Sequence, residues 1–309
     1  MVDASKYQQR MNVQTLASAL ILASLHILLA LAFTLTYHTT KTPNFSIGQI
    51  MAIGAYQSFT LTRIMNIPVY LNLPIAVVFG FIVNSCIYLL IIKPLTDRKR
   101  KPVMITLATL GVGITLEGLI RVYAYWIREL SGVYSFSFLL KQYDFYTGSI
   151  PRIFFVSSLA AFLSYILWRH IYNQTRAGLR YRAVLENPQL AAIQGINIKK
   201  NWLLIWGVSG SLACLAGAMC PIWFSVSSIV GTQIITAVIT ASILGGLGNH
   251  RGFFIGGLIV GFLEIMITVR AQMIYGTWIG EYRPLIPIAI MALTLMYRPQ
   301  GLLGSKDDI

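Results

Sequence analysis

VQTLASALILASLHILLALAFTLTY, Val13 to Tyr37, holds no Asp, Glu, Lys or Arg. At about 1.5 Å per residue it is long enough to cross the roughly 30 Å of hydrocarbon in a bilayer. It is too long for the core of a signal peptide and has no clear small-x-small cleavage site, so it reads as a retained membrane helix. Further apolar runs follow at Phe45–Leu61, Pro68–Ile92, Val103–Ala124, Ile153–Tyr172, Trp202–Phe224, Ile234–Leu247, Phe253–Thr268 and Pro284–Met296. They predict an all-α integral membrane protein, a polytopic bundle of roughly 8–9 transmembrane helices. The runs at Phe45 and Ile234 are short or glycine-marked, and are candidates for broken or re-entrant helices.

Composition agrees with this reading. Hydrophobic residues make up 56% of the 309 and charged residues 11%, whereas a soluble domain carries about a quarter charged. Mean hydropathy is +0.68. No stretch is long and polar enough for a separate soluble domain, so residues 1–309 read as one membrane domain. The net charge of +14 does not indicate nucleic-acid binding, because the positive residues crowd loops. Lys93, Arg98, Lys99, Arg100 and Lys101 share one loop; Arg169, Arg176, Arg180, Arg182, Lys199 and Lys200 share another. Two predicted spans separate these loops, and the positive-inside tendency makes their common side cytoplasmic. The Gly248–Gly252 turn and the C-terminal segment with Arg298 and Lys306 then fall on that side too. For the N-terminal segment with Lys6 and Arg10 the rule conflicts with the span count. A single crossing by Phe45–Leu61 puts that segment outside; a re-entrant course puts it inside.

Cys86, Cys214 and Cys220 lie in apolar runs, where a free cysteine acts as a small hydrophobe, and neither they nor the dispersed histidines form a metal spacing. Residues Arg121–Arg152 are rich in Tyr, Phe and Trp; both an interfacial aromatic belt and a docking surface for an external partner fit that composition. Gly257 and Gly261 stand four apart, the spacing that lets helix backbones approach closely. Two acids, Glu117 and Glu264, lie well inside predicted helices, where ionisable groups are costly and are candidates for a solute pathway. Arg121 is one turn beyond Glu117, so an i,i+4 pair is an equal explanation; Glu264 has only the more distant Arg270 in its own helix. In Thr42–Gln49, Pro43 disfavours helix before it and Asn44 can cap the helix that follows. Asn44, Gln49 and Thr109 are the polar pathway candidates, with Gly48, Gly54 and Gly111 giving room.

The segment ENPQLAAIQGINIKK, Glu186–Lys200, is the one polar interruption with helix signals of its own. Asn187 suits an N-cap, Pro188 the first helical position and Gly195 a stop. They predict a helix over Pro188–Gln194, roughly 10 Å long. It carries no charge, and Leu190, Ala191 and Ile193 offer a small apolar surface. A helix this short is marginal alone and needs packing, against its own bundle or against a partner.

Several stretches, taken in order, resemble the branched-chain amino acid ABC permeases of the LivH type. They are Asn44–Gln49 with Gly54-Ala55-Tyr56, Thr175–Gly178, Arg182-Ala183-Val184, Glu186-Asn187-Pro188, Ala191 through Asn197, Leu244–Asn249 with the glycines Gly252–Gly261, and Tyr297–Gly304. The resemblance covers about Asn44 to Gly304. Family members often carry His and Glu where this chain has Ile47 and Gln49. Related permeases also carry urea, short amides or other small polar solutes.

The resemblance implies one permease subunit of a binding-protein-dependent importer, with no catalytic activity of its own. The chain lacks the G-x-x-x-x-G-K-[ST] loop that cradles ATP phosphates. The implied cofactor arrangement is therefore none bound by this chain, with ATP used by a partner ATPase. Implied partners are a second, LivM-like permease subunit, two ATP-binding subunits, an external solute-binding protein and membrane lipid. The cytoplasmic loop of about residues 173–201 corresponds to the coupling loop, with Glu186, Asn187, Pro188, Leu190, Ala191, Ala192, Ile193 and Gly195 as the ATPase-coupling residues. From the residues alone, two other classes stay open: an ion-coupled secondary transporter using Glu117 or Glu264, and a membrane scaffold.

Overall fold

A computed structural model describes residues 2–98, 100–147, 150–247 and 252–304, and side chains from 13 onward apart from 146, 147 and 150. Lys99, most of the predicted Gly248–Gly252 turn, Lys306 and the side chains of Lys6 and Arg10 lie outside the described set.

The helices are α1 (Val2–Thr40), α2 (Ile47–Arg63), α3 (Asn72–Ile87), α4 (Lys93–Asp97), α5 (Pro102–Ser131), α6 (Arg152–Gln174), α7 (Arg176–Glu186), α8 (Pro188–Ile193), α9 (Ile198–Trp223), α10 (Val230–Gly245), α11 (Gly252–Tyr275) and α12 (Leu285–Tyr297). A π-helical turn, Tyr88–Ile92, makes α3 and α4 one continuous rod. Two antiparallel pairings of two-residue strands tie loops together: β1 (Ser137–Phe138) with β4 (Val226–Ser227), and β2 (Tyr146–Thr147) with β3 (Ile150–Pro151).

Among the described residues six helical segments are long and apolar enough to cross a membrane: Val13–Thr40, Val69–Asp97, Pro102–Ser131, Arg152–Gln174, Ile198–Trp223 and Gly252–Tyr275. The protein is an all-α, multi-pass membrane protein. The quoted opening run is its axis. The Val13–Thr40 part of α1 is largely enclosed, and α1 packs against α11 and α9. α3, α5 and α6 lie outside this centre and turn apolar side chains outward, among them Val78, Ile82, Ile114, Leu119, Leu159 and Phe162. In water such a surface would be costly; in hydrocarbon it needs no cover. Cys86 belongs to this outer surface, while Cys214 and Cys220 are buried.

Close approach of backbones sets the centre. A Cβ on Gly257 or Gly261 would press on the α1 backbone at Ile27 and Ala23, so the four-residue spacing seats α11 against α1. A Cβ on Gly217 of α9 would strike the carbonyl oxygen of Met51 in α2, and one on Gly54 that of Cys214.

The two ends of the bundle differ. At one, Lys199 Nζ meets Asp97 Oδ2 at 2.9 Å, and Leu302 N donates to the Leu244 carbonyl at 2.7 Å. The end of α4, the connection 174–198 and residues 298–304 therefore gather there, and it is the basic end. At the far end, Lys141 Nζ stands 4.1 Å over the Trp223 ring and Trp223 Nε1 donates to Ser18 Oγ at 2.8 Å. α1 thus starts at the far end. α2 runs outward once, to Arg63, whose guanidinium lies over Tyr143. Of the two courses open for Phe45–Leu61, the one-way course is the one observed.

Gly217→Val should unseat α2 from α9 and cost about 3 kcal/mol, whereas Gly111→Ala, with nothing within 4 Å of the new methyl, should leave stability unchanged or slightly raised. Thermal unfolding of the two purified variants in one detergent measures the difference.

Candidate functional site

Neither α2, with 17 residues, nor α10, with 16, reaches about 30 Å at 1.5 Å per residue. Each begins inside the bundle. Their first turns lie side by side and antiparallel: a Cβ on Gly48 would strike the Gly231 carbonyl oxygen. Backbone N–H groups at a helix start have no partner within the helix, and hydrocarbon supplies none. Here side chains serve the N–H groups of the two residues just before α2, and neither α2 nor α10 has a side-chain cap of its own. Asn44 Oδ1 accepts from Ser46 N at 3.0 Å and Ser46 Oγ at 2.7 Å. Thr109 of α5 accepts from Phe45 N and donates to Thr106 O at 2.8 Å. The N-cap itself is Ser46, without a side-chain cap bond. The cap expected from Asn44 acts two residues earlier, as an Asx turn, because the chain bends before α2 rather than at it. Asn44 and Thr109 are each 1% exposed; Thr109 Oγ1 and Asn44 Oδ1 serve this turn, while Asn44 Nδ2 has no hydrogen-bond partner.

Gln49 projects from the next turn. Its Nε2 donates to Glu117 Oε2 at 3.1 Å and to Thr232 Oγ1 at 2.9 Å. Thr232 Oγ1 also reaches Glu117 Oε2 at 2.5 Å, and Arg121 Nη2 binds Glu117 Oε1 at 2.5 Å. α2, α5 and α10 so converge on one carboxylate halfway along α5. It lies near the start of α10, where the helix dipole favours negative charge. The cluster opens outward: Thr232 and Gly111 are exposed, and Glu117 keeps 20% of its side chain accessible. Thr232 escapes a sequence reading because nothing near it marks a helix start. Gly48 and Gly54, in contrast, are consumed by helix crossings.

Glu264 is elsewhere. Its partner is not Arg270 but Arg283, which precedes α12; Arg283 Nε lies 2.6 Å from Glu264 Oε1. His26 Nε2 of α1 stands 3.8 Å from Glu264 Oε2. Among the described residues no group of His, Cys, Asp and Glu could hold a metal ion.

At the basic end, α7 and α8 form a bent pair. Thr175 caps α7 by accepting from Gly178 N at 3.1 Å. Asn187 Oδ1 caps α8, accepting from Gln189 N and Leu190 N at 3.0 Å each. α8 ends at Ile193, one residue short of the expected Gln194. Gly195, at φ 80°, allows its N–H to reach Ala192 O and Ile196 N–H to reach Ala191 O, both at 3.0 Å: a Schellman close. Ala191 turns inward at 2% exposure, while Leu190 at 53% and Ile193 at 83% face out. Glu186, Asn187, Pro188, Ala192 and Gly195 are exposed as well. The expected apolar surface therefore divides, with Ala191 seating the helix and Leu190 and Ile193 free.

α7 is anchored to the membrane core by Tyr181. Its hydroxyl lies 2.9 Å from His38 Nδ1, and His38 Nε2 lies 2.8 Å from the Leu247 carbonyl. A carbonyl only accepts, so Nε2 carries the proton; in the neutral ring Nδ1 accepts from the Tyr181 hydroxyl. Burial pushes the Tyr181 phenol well above its usual pKa, which keeps that donor. The end of α1, the end of α10 and the α7–α8 pair thus share one imidazole.

Residues 15–295 match the model of the family described as branched-chain amino acid transport system / permease component. The chain is 36% identical over 289 residues to the probable branched-chain amino acid transport permease protein LivH of Methanocaldococcus jannaschii, covering 94% of this chain and 91% of that one. It is 24% identical over 306 residues to the high-affinity branched-chain amino acid transport system permease protein LivH of Salmonella typhimurium, covering 96% of each. Among solved structures, a chain of PsaBC from Streptococcus pneumoniae in complex with Fab aligns over 93% of this chain and 92% of its own, with a TM-score of 0.52 and 14% identity. That last likeness is one of fold alone.

In a Cys86→Ser background, a single cysteine at Ile193 should react with a hydrophilic maleimide at least tenfold faster than one at Ala191. Equal rates would mean that α8 sits on its other face.

Proposed function

The chain belongs to the branched-chain amino acid transport system / permease component family, and from that premise we propose that it is one membrane subunit of a binding-protein-dependent ABC importer for branched-chain or similar small amino acids. As a permease subunit it is not an enzyme by itself. ATP would be hydrolysed by two partner ATPases, with a second, LivM-like permease subunit completing the pathway and an external solute-binding protein delivering the cargo. The whole chain then acts as a single permease domain. Its basic end is cytoplasmic, together with the segment after α12, and the start of α1 is outside.

The observation that carries this reading is α8: a capped, uncharged tip presenting Leu190 and Ile193 at the basic end, with Ala191 turned inward. Two apolar side chains that face water at the surface of a membrane protein suit a groove on another protein. Force applied to α8 would pass through Tyr181 and His38 to α1 and to the end of α10, whose start borders Gln49 and Glu117. That route supports a coupling role for Glu186–Gly195. It also supports a pathway role for Gln49 and Glu117 on the open face of α5. An ion-coupled mechanism draws on Glu117 or Glu264 as a relay, but each already faces an arginine, Arg121 or Arg283. The amino-acid assignment leans on the names of the relatives; urea, short amides and other small polar solutes are the alternative cargo.

Ile193→Glu should lower ATPase retention in co-purification more than tenfold while membrane insertion and detergent-phase yield stay at the wild-type level, and Ile193→Leu should retain it. Undiminished retention in Ile193→Glu would remove α8 from the ATPase contact.

A further inference from the structure

A cavity of about 260 Å³ lies at the far half of the bundle, between α1, α9, α10, α11 and the turn before α12. It is distinct from the Gln49–Glu117 cluster, since its α10 wall is Val230, Gln233, Ile234 and Ala237 and none of Gln49, Glu117 and Thr232 lines it. Three charged or ionisable groups line it, the buried His26 and Glu264 and the half-buried Arg283, with Glu281 also in the lining. Apolar wall comes from Leu22, Ile234, Ala237 and Pro287. The volume lies just below the roughly 300–1,000 Å³ of sites for drug-sized ligands, and suits one small molecule.

The polar inventory does not close within the protein. Arg283 takes Glu264 Oε1 at 2.6 Å. Glu264 Oε2 has no hydrogen-bond partner, and neither has either ring nitrogen of His26. The two side chains are nonetheless 9% and 1% accessible, and Oε2 and Nε2 stand 3.8 Å apart, too far to bond directly. Buried polar groups are nearly always partnered, and here the unpartnered atoms belong to side chains that line a cavity. A neutral imidazole offers one acceptor nitrogen, and the carboxylate oxygen is an acceptor. What satisfies both is a donor between them, and a positively charged donor bonds a carboxylate more strongly than a neutral one. A tetrahedral ammonium nitrogen, about 2.8 Å from each acceptor, fits a gap of this width. Mg²⁺ or Ca²⁺ fits poorly, because such cations seek several oxygen ligands and here meet an imidazole and a guanidinium. Beyond the ammonium position, the guanidinium of Arg283 can face a carboxylate, and the apolar wall an aliphatic side chain.

We propose that this cavity is a binding site for a small solute carrying a protonated amine, of the α-amino-acid class. The proposal rests on the amino-acid importer reading and gives it a site within one subunit.

The test is equilibrium binding of radiolabelled L-leucine to the assembled permease–ATPase complex in nanodiscs, without the solute-binding protein. Saturable binding is expected, displaced by excess methylammonium and not by 4-methylpentanoate, which keeps the aliphatic chain and carboxylate but lacks the amine. Ala237→Leu, which fills the cavity without touching the ion pair, should weaken binding at least tenfold, as should Glu264→Gln; Cys86→Ser should not. Absence of saturable binding, meaning that the cavity holds water only, would overturn the proposal. So would displacement by 4-methylpentanoate, or full affinity in a folded Ala237→Leu complex. The competition pattern is read on the wild type, so it stands even if a variant fails to fold. ATP-driven leucine uptake by the complete wild-type system separates the two readings. Uptake without this binding sinks the site alone; binding without uptake sinks the importer assignment and leaves the site standing.

Discussion

A chain that turns inside hydrocarbon must find hydrogen-bond partners from protein alone, and the approach to α2 finds them in the side chains of Asn44 and Thr109. α2 and α10 both start within the bundle, run in opposite directions and touch at Gly48 and Gly231 with no side chain between them. Asn44, Ser46 and Thr109 stitch the approach to α2. Gln49 and Thr232 then turn toward Glu117, so the place where the backbone is interrupted is also where polar side chains collect. Broken helices are a recurrent way to bring polar groups to the middle of a membrane.

This arrangement is linked to the basic end through few elements. His38 has one ring nitrogen on Tyr181 of α7 and the other on the Leu247 carbonyl beyond α10. A displacement of α7 that breaks the Tyr181–His38 bond loses a hydrogen bond between buried groups, at a cost of about 1 kcal/mol. Motion of α7 as a unit with the ends of α1 and α10 is therefore favoured over independent motion. Such a connection suits a machine whose energy source lies on another chain.

Much of this was legible in the residues. Apolar runs located the long spans, Gly257 and Gly261 marked a close helix crossing without naming its partner, and Asn187, Pro188 and Gly195 set the limits of α8 to within one residue. Those signals are local: period, cap and spacing. What the sequence did not disclose depends on packing. Thr232 joins Gln49 and Glu117 only once α10 is placed beside α2. Arg283 is nineteen positions from Glu264, a separation that no helical rule reaches. Ala191, on a six-residue helix, looked like part of an outward surface because a single turn does not say which side is covered. Asn44 carried a genuine capping signal, and tertiary bending moved its use to the turn before the helix.

The central claim is the side-by-side start of α2 and α10, and short-span cross-linking in native membranes tests it most directly. Cysteines at Gln49 and Thr232, in a background without Cys86, should link efficiently with a short bifunctional reagent, because the native side chains are 2.9 Å apart. The link should form whether or not the chain is assembled with its partners. Failure to link, with both cysteines reactive toward small thiol reagents, would contradict the account.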